Sequence, residues 1–311
     1  MEVLQVFDQA TTLRRLMQDI TQEGAPLRTP PPASPVPRVL AVTGGKGGVG
    51  KTLTTANLGL CFARLGMRTL LIDGDFGLAN LDVVLNVRPQ FTLDDVLCGE
   101  RELRDCVLTG PDGLRLIPAS SGVLKISELG RVQKLVLLDQ IESLDEEFDV
   151  VLIDTPAGVS KNVQYWTSCA AEVIVVVTPE PTALADGYAT MKILSQTTRE
   201  TRFKLVVNMV RSEDEGLRVY EKLASLADDY LQVKVEYLGC VMFDEAVRNS
   251  VRERIPYVQK YPFSQASRGM RNVANQILSE PNAGAAKGTM QFFWRRMIGT
   301  DISGQQSLDL L

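Results

Sequence analysis

Nine consecutive residues, Gly44-Gly45-Lys46-Gly47-Gly48-Val49-Gly50-Lys51-Thr52, carry the densest chemistry in the sequence. Glycines at 45, 47, 48 and 50 let successive backbone amides curl around an anion without Cβ clashes. The apolar run 39–43 before them reads as a strand and 53–65 after them as a helix, whose positive end points at the same anion. In that context Gly45, Lys46, Gly47, Gly48, Val49, Gly50, Lys51 and Thr52 match the phosphate-binding loop pattern, in which every fixed position is filled. Lys51 is then expected to neutralise the outer phosphates of a nucleotide, and Thr52 to hold Mg²⁺ through its hydroxyl. Lys46 is an extra cation that a simple phosphate loop does not call for.

Carboxylates follow at the ends of two further apolar runs. Asp73 and Asp75 stand two residues apart just past 69–72, so both can face the phosphate end of the site as the chain leaves its strand. The plainer alternative is that either one caps the next segment. Asp154 closes the run 150–153 and opens Asp154-Thr155-Pro156-Ala157-Gly158. This is the Walker B arrangement, a carboxylate supporting Mg²⁺ through its water shell, and the small turn leaves room for a γ-phosphate to order it. An acid after an apolar strand occurs in many sheets; its position, two further strands after Asp75, gives it force. Asn208 ends the run 204–207 with an amide able to pair with both donor and acceptor on adenine.

The composition narrows the reaction. The 311 residues contain no His, so imidazole is excluded as base or metal ligand, and hydrolysis must rest on carboxylates, lysines, backbone amides and a metal. Lys and Arg number 33 against 38 Asp and Glu, which leaves no net-charge reason to expect DNA as a partner, although a local basic patch stays open. The five cysteines Cys61, Cys98, Cys106, Cys169 and Cys240 are scattered and lack a Cys-x-x-Cys pair, a usage that suggests reduced thiols in cytoplasm. The strongest apolar run, 173–177, is far too short to span a bilayer. Met1 to Ile20 carries Asp8 and Asp19 and does not read as a signal peptide.

These residues need a scaffold, and the pattern supplies one. Runs rich in Val, Ile and Leu at 39–43, 69–72, 114–117, 150–153, 173–178, 204–208 and 236–241 alternate with helical patterns. That predicts an α/β fold with a mainly parallel twisted sheet and helices on both faces, binding its ligand at the carboxyl ends of the strands. At 3–20 the apolar residues Val3, Phe7, Ala10, Leu13, Leu16 and Ile20 fit a short amphipathic helix. The Pro-rich stretch to residue 37 predicts an extended tether. Beyond Pro281 a small-residue stretch leads to Met290, Phe293, Trp294, Met297 and Ile298, spaced for an amphipathic helix near 289–299 with Arg295 and Arg296 opposite, suited to an anionic membrane surface. Phe292 departs from that pattern. The expected division is a helix at 1–20, a linker at 21–37, a nucleotide-binding domain at 38–280 and a C-terminal region at 281–311.

The loop with its second lysine resembles the deviant Walker A motif of the MinD/ParA group of P-loop ATPases. The resemblance implies that Lys46 reaches across a homodimer onto the partner's ATP, that Asp73 lies near the Mg²⁺ shell, and that Asp75 orients the attacking water. It implies adenine contact by Asn208, with Phe243 and Asp244 as the other wall of the pocket; Asp244 reads equally as the cap of a helix starting at Glu245. The element Asp8-Gln9-Ala10-Thr11-Thr12-Leu13-Arg14 resembles that of the FlhG (FleN) family, MinD-like regulators of flagellar number and placement. There it implies a helix stimulating an FlhF-like GTPase through Asp8, Gln9, Leu13 and Arg14. Pro179 to Tyr188 and Arg252 to Tyr257 also look like FlhG. Flagellar switch or C-ring components, a flagellar transcription activator and the inner membrane surface are the further partners implied. The rival readings are a division-site MinD, a ParA-type partition ATPase, a non-catalytic nucleotide-dependent regulator and an iron–sulfur reductase.

Overall fold

The protein is described from a computed structural model, in which residues 37–75, 80–92, 95–96, 98–118, 140, 144 and 148–282 are described. The expected helix at 3–20, with Asp8, Gln9, Leu13 and Arg14, most of the Pro-rich tether, and the stretch from Met290 to Ile298 lie outside them.

Strand β1 (Arg38–Thr43) leads through the glycine loop into helix α1 (Lys51–Arg64), followed by β2 (Thr69–Asp73) and the short α2 (Leu81–Leu85). Then come β3 (Leu108–Thr109), β4 (Arg115–Ile117), β5 (Val150–Asp154), α3 (Lys161–Cys169), β6 (Glu172–Val177) and α4 (Pro181–Thr198). The described chain closes with β7 (Arg202–Val210), α5 (Glu213–Leu231), β8 (Lys234–Met242), α6 (Glu245–Glu253), α7 (Tyr257–Lys260) and α8 (Gln265–Ser279). The strands form one sheet in the order β3-β4-β2-β5-β1-β6-β7-β8. Every described pairing is parallel except β3 with β4. The seven apolar runs each became a strand; the two-residue β3 is the one the pattern missed.

Parallel strands need crossover helices, which cover both faces, so the central strands β1, β5 and β6 are buried along their whole length. Alternation divides each strand between two cores. Leu40 and Val42 pack with Leu58 and Phe62 of α1 and Met270 and Val273 of α8, while Val39 and Ala41 face Trp166 and Phe148 on the other side. At the outer edge β8 slips register against β7 around Gly239, whose φ of 132° suits a residue without Cβ.

The starts of the strands are tied by charge. The Arg38 guanidinium makes two bonds to Glu172 of β6, at 2.5 and 2.8 Å, and donates to the carbonyls of Ile277 and Glu280 at the end of α8. Lys204 of β7 pairs with Glu172 and Glu236 at 3.3 Å each, and with Glu280. Arg38 and Glu172 are both nearly excluded from solvent, so this network fixes β1, β6, β7, β8 and α8 at the end opposite the glycine loop.

Candidate functional site

Strand β1 is where the chain changes direction: β5 and β2 lie on one side of it and β6, β7 and β8 on the other. Loops leaving β1 and β5 therefore diverge and leave a crevice at their carboxyl ends. The glycine loop occupies it. Gly50, with φ 94°, caps the start of α1 in the left-handed region, and a Cβ there would come within 2.3 Å of Asn208 Nδ2. A Cβ on Gly45 would approach the Asp186 carbonyl oxygen of α4 to 2.2 Å. The loop is thus wedged between α4 and the end of β7. Gly47 and Gly48, by contrast, are exposed, and a Cβ on either would meet nothing within 4 Å.

Register places the acids. Asp73 ends β2 directly opposite Asp154 at the end of β5, and both are 2% exposed. Burial pushes the Asp154 carboxyl up to about 7, and nearby Asp73 adds to the rise against the opposing bonds from the Thr52 and Thr55 hydroxyls. Thr55 Oγ1 donates to Asp154 Oδ1 at 3.2 Å. Burial likewise takes Asp73 to about 6, although it accepts from the backbone N–H groups of Asp75 and Asn80 at 3.1 Å and Leu81 at 3.2 Å. Lys51 is held beside them with Nζ donating to the Lys46 carbonyl at 3.2 Å; burial lowers its pKa while Asp154 and Asp75 act to raise it.

Two buried carboxylates pressed towards protonation call for a cation, and a desolvated lysine calls for an anion. The hydroxyl of Thr43, where β1 enters the loop, is buried without a hydrogen-bond partner. Among the described residues no group of three or more Cys, Asp or Glu could hold a metal by itself. A cation here must therefore draw oxygen ligands from what it binds beside, as Mg²⁺ does on a phosphate chain. Donor set, charge and the open cradle together fit a magnesium–nucleotide pair.

Residues 37–207 match the family described as AAA domain. The chain is 39% identical over 267 residues to the antiactivator FleN of Pseudomonas aeruginosa, a match covering 86% of this chain and 95% of that protein. It belongs to the FlhG/FleN group of MinD-type ATPases. The flagellum site-determining protein YlxH of Helicobacter pylori is 31% identical, over 84% of this chain and 90% of its own. Among solved structures, the septum site-determining protein MinD of Pyrococcus horikoshii, complexed with Mg-ADP, superposes with a TM-score of 0.60 at 26% identity, covering 77% of this chain and 95% of that one.

For a MinD-type ATPase, the structure brings Lys51, Thr52, Asp73, Asp75 and Asp154 to one crevice, as the sequence leads one to expect. Two residues stand differently, and a third takes one of its two expected roles. Lys46, expected to reach towards a second subunit, bonds within its own chain to Glu180 Oε2 at 3.3 Å and Thr182 Oγ1 at 3.2 Å, at the start of α4. Asn208, expected to offer its amide to adenine, donates to the Val49 carbonyl at 2.9 Å and accepts from the Met209 N–H at 2.9 Å, so the amide braces the loop. Asp244 takes the capping role: one carboxylate oxygen accepts from Ala246 N at 2.9 Å and the other from Ala266 N at 3.3 Å, which ties α6 to α8. Phe243 beside it is half-exposed, with the Arg248 guanidinium 5.4 Å from the ring centre.

Four site residues escaped the sequence reading. Thr55 stands one helical turn beyond Lys51, so the i, i+4 spacing on α1 was the available signal. Glu180 and Thr182 lay within the family-like stretch 179–188, where nothing marked them as partners of Lys46. Trp166 had only its size.

Proposed function

We propose that this chain is an ATP-driven switch that dimerises around two nucleotides, associates reversibly with the inner membrane and sets flagellar number or placement. The observation that carries the reading is Lys46, a second lysine on a phosphate loop whose chemistry Lys51 already completes. Its present partners are weak: the Lys46 and Glu180 side chains are 44% and 68% exposed, and such pairs contribute little. Exchange of Glu180 for a phosphate on a facing subunit is therefore inexpensive, which makes the terminal phosphate the determinant of association.

Within the site Lys51 balances the outer phosphate charge, and the loop amides hold the chain of phosphates in line. Thr52, Asp73 and Asp154 would hold Mg²⁺, which would neutralise phosphate charge during transfer. Asp75 accepts a hydrogen bond from the attacking water and orients it. Phe243 forms a wall for the base. Water orientation without a strong base suits slow turnover, as a timer requires.

The ends carry the output in this reading. Residues 1–20 form a helix that docks on an FlhF-like GTPase and stimulates it, with residues 21–37 as tether and 38–280 as the ATPase domain. The amphipathic stretch in 281–311 meets the bilayer, and pairing of two copies in the dimer adds avidity to a weak single anchor. Among the described residues no helix is long and apolar enough to cross a membrane. A second reading follows from what the Pseudomonas relative is called: an antiactivator restrains an activator, so direct contact with a flagellar transcription activator is an alternative output.

The test is co-sedimentation with vesicles of phosphatidylglycerol and phosphatidylethanolamine, run beside a GTPase assay on the partner. The reading expects vesicle binding with a non-hydrolysable ATP analogue and not with ADP. It also expects loss of GTPase stimulation, with unchanged ATP turnover, on deleting residues 1–20. Nucleotide-independent sedimentation together with an unchanged GTPase rate would reject it.

A further inference from the structure

Between the two acids at the end of β2 stands Gly74, and both of its peptide planes are pinned. Its N–H, in the plane shared with Asp73, donates to the Asp154 carbonyl at 2.8 Å. Its carbonyl, in the plane shared with Asp75, accepts from the indole Nε1 of Trp166 at 3.2 Å. A Cβ on Gly74 would stand 2.6 Å from that nitrogen and 2.7 Å from the Asp154 carbonyl oxygen, so the contact is too close for any other residue.

A glycine is the residue with most freedom in φ and ψ, and two hydrogen bonds on planar peptides remove it. The second bond matters most for the acids. The Gly74–Asp75 plane carries the Asp75 N–H, which donates to Asp73 Oδ1 at 3.1 Å. Releasing the Gly74 carbonyl removes one of the bonds that hold that plane, so that Asp75 can turn and the bond on Asp73 can loosen with it. Trp166 itself is buried: 1% exposed, on α3, with Tyr165 edge-on at 5.7 Å between ring centres. A buried indole N–H needs an acceptor, and this one takes a carbonyl of the catalytic turn.

We propose that Trp166 is a positioning residue for ATP hydrolysis, its indole N–H fixing the turn that presents Asp73 to the metal and Asp75 to the attacking water. The inference rests on the role given above to Asp75. It also joins the two phosphate-sensing loops, because α3 begins directly after the Asp154–Gly158 turn and the same segment holds Gly74 through both Asp154 and Trp166.

Trp166→Phe removes the donor and leaves an aromatic ring. Because the smaller ring also costs packing, a second variant keeps the volume: Trp166 carrying benzothiophene in place of indole, in the Trp294→Phe chain and measured against that chain. Both are expected to bind ATP within about twofold of their references and to hydrolyse it about five- to fiftyfold more slowly, from one lost hydrogen bond plus misorientation. Half-saturating Mg²⁺ should rise severalfold, a readout that mere loosening of the core would not move selectively. Reference turnover and Mg²⁺ demand in the benzothiophene chain, with turnover lost in Asp75→Ala, would overturn the positioning role alone. Turnover retained in Asp75→Ala would instead remove the reading on which the role rests, and the inference with it.

Discussion

At neutral pH the Asp154 carboxyl stands close to its own midpoint, because burial and the neighbouring Asp73 outweigh the bonds from Thr52 and Thr55. Its pKa in the folded chain, about 7, lies above the ordinary 3.8, so its contribution to stability is complete at low pH and is lost as pH rises through 7. Asp154→Asn removes the penalty. The nucleotide-free variant is expected to melt several degrees higher than the parent at pH 8, about 1–3 kcal/mol, with a smaller difference at pH 5, because the penalty builds as pH rises from 3.8 to about 7. Calorimetry at the two pH values checks this, and phosphate release should be lost in the same variant. Asp75→Ala should keep ATP binding and reduce phosphate release at least tenfold or so, measured under saturating Mg·ATP. The loop and its acids were legible because each lies within a contiguous motif. The Trp166–Gly74 bond was not, since its ends are 92 residues apart and meet only when α3 packs on the sheet. Asn208 was placed on the right strand end, but the Val49 carbonyl that occupies its amide is 159 residues away.

At the scale of elements, the sheet was legible because parallel strands buried on both faces leave uninterrupted apolar runs. Strand β3 left no such trace: two residues, half-buried Leu108 and exposed Thr109, pair antiparallel with β4, with the Arg115 guanidinium donating to the Thr109 hydroxyl. The ionic network at the strand starts was also invisible, since Arg38, Glu172, Lys204, Glu236 and Glu280 lie on five separate segments. Arg38→Met strands the buried Glu172 carboxylate with Lys204 as its remaining counter-ion and should cost about 3 kcal/mol in urea unfolding. Adding Glu172→Leu should recover most of that, because Lys204 keeps Glu236 and Glu280. The network sets an acid limit too. Burial tends to raise Glu236, but Arg202, Lys234 and Lys204 overcome it and hold the carboxyl at about 2, below its ordinary 4.5. Its share of stability is therefore present above pH 4.5 and lost as pH falls towards 2, and a Glu236→Gln variant should lose the corresponding part of the acid-unfolding slope.

For the whole molecule, nucleotide state is proposed to become quaternary state through Lys46, and the geometry of the free chain bears on how. Lys46 rests on Glu180 and Thr182 at the start of α4, whose Asp186 carbonyl packs on the loop at Gly45. The sequence marked Lys46 as surplus to a simple phosphate loop, yet its resting partners could not be read from it, because they stand 134 and 136 residues away at the start of α4. Light scattering of the purified full chain, with ADP and then with a non-hydrolysable ATP analogue, tests the claim most directly. The expected result is a monomer with ADP, a doubling of mass with the analogue, and no doubling for Lys46→Ala although it still binds the nucleotide. A parent chain that stays monomeric at saturating analogue, or a Lys46→Ala chain that dimerises as well as the parent, would contradict it.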